Sequence, residues 1–160
     1  MKKQVKFSTW STMLSASAII VLLYVLKYTK DDMSYWCIAI ELMLIVLVAV
    51  TLFYMPLSVM LDNDYVTVKR PICSKRIPLA DITEVKLCPP TMAERPIFGS
   101  GGFMGYWDRF REKGLGKYFA YYGKASDCFL VTLRDGRKYK LGCDDAGEMV
   151  SAINSRLCVA

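Results

Sequence analysis

The chain has 160 residues, a formal net charge of +6 and an apolar share of 54%, only a little above that of an ordinary globular protein. It has no histidine, which excludes Ser-His-Asp and Cys-His catalysis, histidine metal ligation and the usual proton shuttle near neutral pH. Its six cysteines (Cys37, Cys73, Cys88, Cys128, Cys143, Cys158) never stand at the short spacing of a zinc knuckle or redox pair, so they read either as a disulfide framework or as scattered small hydrophobes in a reducing compartment.

The apolar residues cluster near the N-terminus, in one run from Thr12 to Tyr28 and a second from Tyr35 to Met55. A helix crossing a bilayer needs about 20 apolar residues, so the two runs predict a transmembrane hairpin. Lys2, Lys3 and Lys6 would suit a signal peptide, but Leu26-Lys27-Tyr28 lacks the small residues of a cleavage site and a second span follows at once. The first helix is therefore expected to be retained. Cations flank the outer ends of the pair (Lys2, Lys3 and Lys6 before it; Lys69, Arg70, Lys75 and Arg76 after it), whereas Lys27 and Lys30 in the loop face Asp31 and Asp32. By the positive-inside rule this predicts a multi-pass protein of the inner (cell) membrane with both termini cytoplasmic. Trp10, Tyr28, Tyr35, Trp36, Phe53 and Tyr54 fall where aromatic residues anchor at the interfaces.

Glu41 is the candidate intramembrane polar site, about two turns into the second span. A carboxyl there is either an ion, proton or subunit-contact site, or it lies just below the outer interface, bonded to Tyr24 or Lys27 on the facing helix. Two helices with one carboxyl are too few for transport by this chain alone.

After Pro56, apolar and polar residues alternate. Leu57, Val59 and Leu61 precede a turn at Asp62-Asn63-Asp64; Tyr65 to Lys69 alternates again, and Ile72 to Ile77 returns. This is the period-two pattern of strands and hairpins. Ile82 to Cys88 reads as a further strand, stopped by Pro89-Pro90. Lys117 to Tyr122 and Cys128 to Leu133 follow, and Asp135-Gly136 turns the chain back into Lys138 to Leu141. Asp144-Asp145 offers an N-cap to a helix from Ala146 to Leu157, with Met149, Val150, Ile153 and Leu157 at helical spacing. The tally is about seven short antiparallel strands and one amphipathic helix that closes the end of a bent sheet.

That order, with Ile77-Pro78-Leu79-Ala80-Asp81-Ile82, Phe98-Gly99-Ser100-Gly101-Gly102-Phe103-Met104-Gly105-Tyr106, Gly116-Lys117-Tyr118 and Asp135-Gly136-Arg137-Lys138-Tyr139 before Asp144-Asp145, resembles bacterial pleckstrin-homology-like (PH-like) domains of small membrane proteins with an N-terminal transmembrane hairpin. The resemblance implies a membrane-anchored α+β protein. Residues 1–55 would be a cytoplasmic tail and helical hairpin. Residues 56–160 would be a PH-like domain, a seven-stranded antiparallel bent sheet capped by a C-terminal helix. It also implies a binding or scaffolding module with no catalytic residues and no cofactor. It does not imply phosphoinositide binding, because the first strand pair turns at the acidic Asp62-Asn63-Asp64.

An insert at about 91–116 interrupts the strand pattern. Ile97 to Phe119 holds six glycines and seven aromatic residues, and Arg95 to Lys124 carries six basic side chains against two acidic ones. Glycine-rich backbone can form an anion nest, but neither a P-loop nor a Rossmann fingerprint is present. Phe103, Trp107, Arg109, Phe110, Arg111 and Lys113 are the candidate membrane or partner contacts. They suit anionic inner-leaflet lipid, a membrane protein partner, or packing of the insert on its own domain; nucleic acid is not expected. The function this predicts is a non-catalytic, membrane-anchored binding or scaffolding module on the cytoplasmic face. The alternative is an accessory or regulatory subunit of a membrane transport or envelope complex, working through the hairpin and Glu41.

Overall fold

A computed structural model describes residues 1–29, 35–88 and 94–157. The predicted proline stop at Pro89-Pro90, the start of the insert at Thr91, the loop charges Lys30, Asp31 and Asp32, and Cys158 lie outside the described residues. Both apolar runs are helices, α1 (Thr9–Thr29) and α2 (Tyr35–Tyr54). Ser8 starts α1, its Oγ accepting from the Ser11 amide at 3.1 Å, as an N-cap hydroxyl does. Along both helices large apolar side chains are exposed, among them Ile20, Leu23, Met43 and Ile45. Both helices are long and apolar enough to cross a membrane, and little of either is buried in the fold.

The rest is strand-rich and ends in one helix. β1 (Lys2–Gln4), β2 (Ser58–Leu61), β3 (Tyr65–Lys69) and β4 (Ser74–Pro78) form an antiparallel sheet in that order. A second sheet is built from β5 (Ile82–Leu87), β6 (Arg95–Gly102), β7 (Gly105–Glu112), β8 (Gly116–Tyr122), β9 (Cys128–Leu133) and β10 (Lys138–Gly142), in the order β5-β9-β10-β8-β7-β6. The helix α3 spans Ala146–Leu157.

The expected seven-stranded antiparallel sheet is thus corrected to ten strands in two sheets of four and six among the described residues. Two of the extra strands are the insert itself, a long hairpin of β6 and β7 whose glycines hide the period-two pattern. A third is the N-terminal tail, where Lys3 pairs with Val59; three residues are too few for any periodicity to register. One neighbour pair is parallel, with Tyr139 of β10 opposite Phe119 of β8, because the β9–β10 hairpin lies between β5 and β8.

The main core lies between the two sheets and under α3. Val59, Val66, Val68, Ile77, Phe129, Val131, Leu141, Met149 and Ile153 are all essentially inaccessible. Met149, Val150 and Ile153 are the buried stripe of α3, each worth roughly 1.5–3 kcal/mol of burial. A smaller aromatic core of Phe110, Tyr118, Ala120, Tyr122 and Cys128 covers the other face of the larger sheet. Cys37, Cys73, Cys88, Cys128 and Cys143 are free thiols, and the last three are buried. Among the described residues the cysteines are therefore small hydrophobes and not a disulfide framework.

Candidate functional site

The insert forms the seat of the helices. The turn between β6 and β7 rests on the first two turns of α1, where Ser11 Oγ donates to the Gly102 carbonyl at 2.5 Å and accepts from the Gly105 amide at 3.1 Å. One helical turn further on, Ser15 Oγ accepts from the Met104 amide at 2.8 Å. Four residues advance about 6 Å along a helix axis, so the hairpin tip points along α1 toward its C-terminal end. Phe103 and Met104, at the tip, join Ala18, Ile19, Leu47 and Thr51 around an apolar cavity of about 290 Å³ between α1 and α2. The end of α2 is held as firmly. The Tyr54 ring stacks on Trp107 at 5.4 Å and on Phe119 at 6.4 Å, with the Arg70 guanidinium 5.8 Å from its centroid.

The glycines of the insert make this approach possible, and no anion nest is needed to explain them. A Cβ at Gly105 would meet Phe7 at 3.0 Å; one at Gly99 would lie 2.4 Å from both the Trp107 carbonyl oxygen and Asp108 Cβ, so that glycine serves the β6–β7 pairing itself. The tail before α1 is fastened to the domain in the same way. Besides pairing with β2, its Lys3 bonds Asp145 at 3.1 Å and its Lys6 bonds Asp144 at 2.8 Å. The two aspartates expected to cap α3 with their side chains therefore hold the tail.

The candidate contacts split accordingly. Trp107 and Phe110 are 5% and 2% exposed and face their own domain, which corrects the expectation that they meet a lipid or partner. Alternation along β7 turns Trp107 toward the end of α2 and Phe110 into the aromatic core. Phe103 is half-buried at the tip. Arg109, Arg111 and Lys113 are exposed, and the last two lie at the end of β7 far from α1. Arg111 is six residues beyond Gly105, or about 20 Å of strand. Glu41 is half-buried, two turns into α2.

Two clusters are assembled by the tertiary structure, and of their residues the sequence marks only Arg109 and Arg111 as candidate contacts. Lys140 is 0% exposed. Its ammonium is ion-paired with Glu94, and the Glu112 carboxylate is 4.0 Å away. Tyr118 and Tyr122 place their rings 5.7 and 5.5 Å from it, and the Tyr122 hydroxyl donates to Glu94 at 2.6 Å. Burial pulls the Lys140 pKa down, and the neighbouring Cys88 opposes it. In the sequence Lys140 alternates with Tyr139 and Leu141, a pattern that a half-exposed strand shares. Both faces of β10 are in fact covered.

The same burial acts on the phenols. It pushes Tyr121 up to about 12 and raises Tyr118 and Tyr122 as well. A pKa higher in the folded state means that stability is intact below the unfolded tyrosine pKa of about 10 and is lost as pH climbs beyond it. Alkaline titration followed by tyrosinate absorbance should show a lagging, cooperative class of phenols that ionise together with unfolding. All ten tyrosines titrating near pH 10 without a lag would contradict this burial.

The second cluster lies on the outer part of the larger sheet. Arg95 is directly opposite Arg111, and Arg111 opposite Lys117, so three cations stand in one cross-strand row. Like charges in that arrangement repel. The next row places Phe98 beside Arg109 and Arg109 beside Phe119. A cleft of about 330 Å³ beside these rows is lined by Ile97, Arg109, Lys117 and Phe119 together with Arg137 and Lys138. Arg137 is paired with Asp135, and Lys138 donates to the Leu115 carbonyl at 2.8 Å. Arg95, Arg109, Arg111 and Lys117 have no ion pair among the described residues. No group of three or more His, Cys, Asp or Glu able to hold a metal is found there either.

A family model described as a bacterial PH domain matches residues 57–157. No curated protein and no solved structure matches the chain.

Proposed function

Since the chain belongs to the bacterial PH domain family, we propose that it is a non-catalytic binding and scaffolding module held at the cytoplasmic face of the inner membrane by its helical hairpin. The observation that carries this reading is that both ends of the hairpin enter one sheet. β1 precedes α1, β2 follows α2, and the two pair from Lys2–Met60 to Gln4–Ser58. A pair of spans whose flanks share a sheet must leave and return on the same side. The same pairing disfavours a cleaved signal, since removal of the segment through α1 would strip a strand and three ion pairs from the domain. The cations of the tail and of β4 favour the cytoplasm as that side. The exposed apolar surface of both helices supplies the reason for a bilayer.

In this arrangement Phe103 and Met104 reach the inner leaflet, while Trp107 and Phe110 are structural. The chain should stay with membranes through an alkaline carbonate wash, and a reporter fused after Ala160 should be active in the cytoplasm. Release by carbonate would remove the anchor from this reading, and an exported reporter would reverse its orientation.

A further inference from the structure

We propose that the basic face of β6, β7 and β8 docks an acidic segment of another protein, an inference that rests on the chain being a membrane-held binding module. Arg95, Arg111 and Lys117 form an in-register row across three strands, with Arg109 one step along and no carboxylate pairing any of them among the described residues. Three neighbouring cations on adjacent strands, about 4.8 Å apart from one to the next, repel one another until an anionic group is placed between them. Guanidinium forks are well suited to carboxylates.

The location separates a protein from a bilayer. The tip of the β6–β7 hairpin advances along α1 from Ser11 to Ser15, so its other end is directed away from the span. Arg111 and Lys117 are at that other end, about 20 Å of strand from the tip. This is two Debye lengths or more at physiological salt. The neighbouring side chains separate a protein from a nucleic acid. Single strands are held by several exposed rings on which bases stack. Here Tyr139 is 7% exposed and Phe119 packs against the core, which leaves Phe98, at 73%, as the open ring beside the row. Ile97, at 51%, adds an aliphatic contact. A row of cations flanked by one aromatic and one aliphatic side chain fits an acidic peptide that carries an apolar residue.

The test uses the full chain in phosphatidylcholine nanodiscs, titrated against a fluorescein-labelled Glu-rich peptide bearing one Phe and followed by anisotropy. Binding should be saturable and should weaken at least about tenfold between roughly 50 and 300 mM salt. Replacing Arg95, Arg111 and Lys117 together by Gln should lower affinity by about tenfold or more, whereas Arg111→Lys alone should lower it by less, the charge being kept and the fork lost. Phe98→Ala should lower affinity without changing the salt dependence. The proposal is overturned if the triple variant binds the peptide as the parent does. It is equally overturned if the same three residues govern binding to phosphatidylglycerol nanodiscs or to a single-stranded RNA more strongly than to the peptide. Loss of the membrane-module reading would be seen separately, as a chain that fails to float with lipid while still binding the peptide.

Discussion

Lys140→Met should destabilise the domain by about 3–5 kcal/mol, the cost of leaving a buried carboxylate without its cation. Lys140 is wholly inaccessible, ion-paired with Glu94 and 4.0 Å from Glu112. Methionine keeps much of the volume and the aliphatic stem but offers nothing to either carboxylate. Against a total stability of about 5–15 kcal/mol for a domain, such a loss should bring the unfolding midpoint down far enough to read directly in a urea titration. The pairing can be isolated by adding Glu94→Gln. The double variant should recover part of the loss, because replacing both members of a buried pair is tolerated better than removing one. If Lys140→Met is as stable as the parent, the cluster does not hold the sheet together.

Gly123→Val should release the N-terminal tail. A Cβ at Gly123 would fall 2.4 Å from the Lys6 carbonyl oxygen and 2.9 Å from Phe7 Cδ1, and the first of these is backbone with nowhere to go. The Ser8 amide bonds the Gly123 carbonyl at 3.0 Å, so the clash falls where the tail crosses β8 on its way into α1. We expect a loss of about 2–4 kcal/mol, in the range of an overpacked core substitution plus lost strand pairing. Limited proteolysis should then cut before Thr9 while sparing the main core. Gly147→Ala provides the contrast: nothing lies within 4 Å of its added Cβ, and in helix α3 the change should be neutral or stabilising by up to about 1 kcal/mol. A tail that resists protease in Gly123→Val would show that the tail does not need this close approach.

Both predictions concern residues whose importance the sequence concealed, and for related reasons. Lys140 alternates with Tyr139 and Leu141 as a solvent-facing residue would. Its burial follows from β10 lying inside a six-stranded sheet, flanked by β9 and β8. Gly123 follows a strand in an aromatic run and looks like a turn residue, yet the pressure on it comes from Lys6, far away in the chain. Trp107 and Phe110 were mistaken in the opposite sense. An aromatic–basic composition marks an interface surface, but composition carries no information on which aromatics alternation turns inward. The basic row showed in the sequence as an excess of cations, with Arg109 and Arg111 as candidate contacts. Its order across β6, β7 and β8 required the strand register.

Local pattern alone determined the two long apolar runs, the β2–β4 and β9–β10 hairpins, and the α3 stripe of Met149, Val150 and Ile153. It also excluded histidine chemistry. These features depend on residue type and on periods of two or 3.6 residues, which are written into contiguous stretches of chain. The tertiary structure decided the rest: the tail as a strand, the glycine insert as the hairpin that seats α1, the parallel contact of β10 with β8, the buried lysine, and the cations in a row. Each of these joins segments distant in sequence. Such pairings are selected by the summed burial and hydrogen bonding of the whole fold, and no window of the sequence contains both partners.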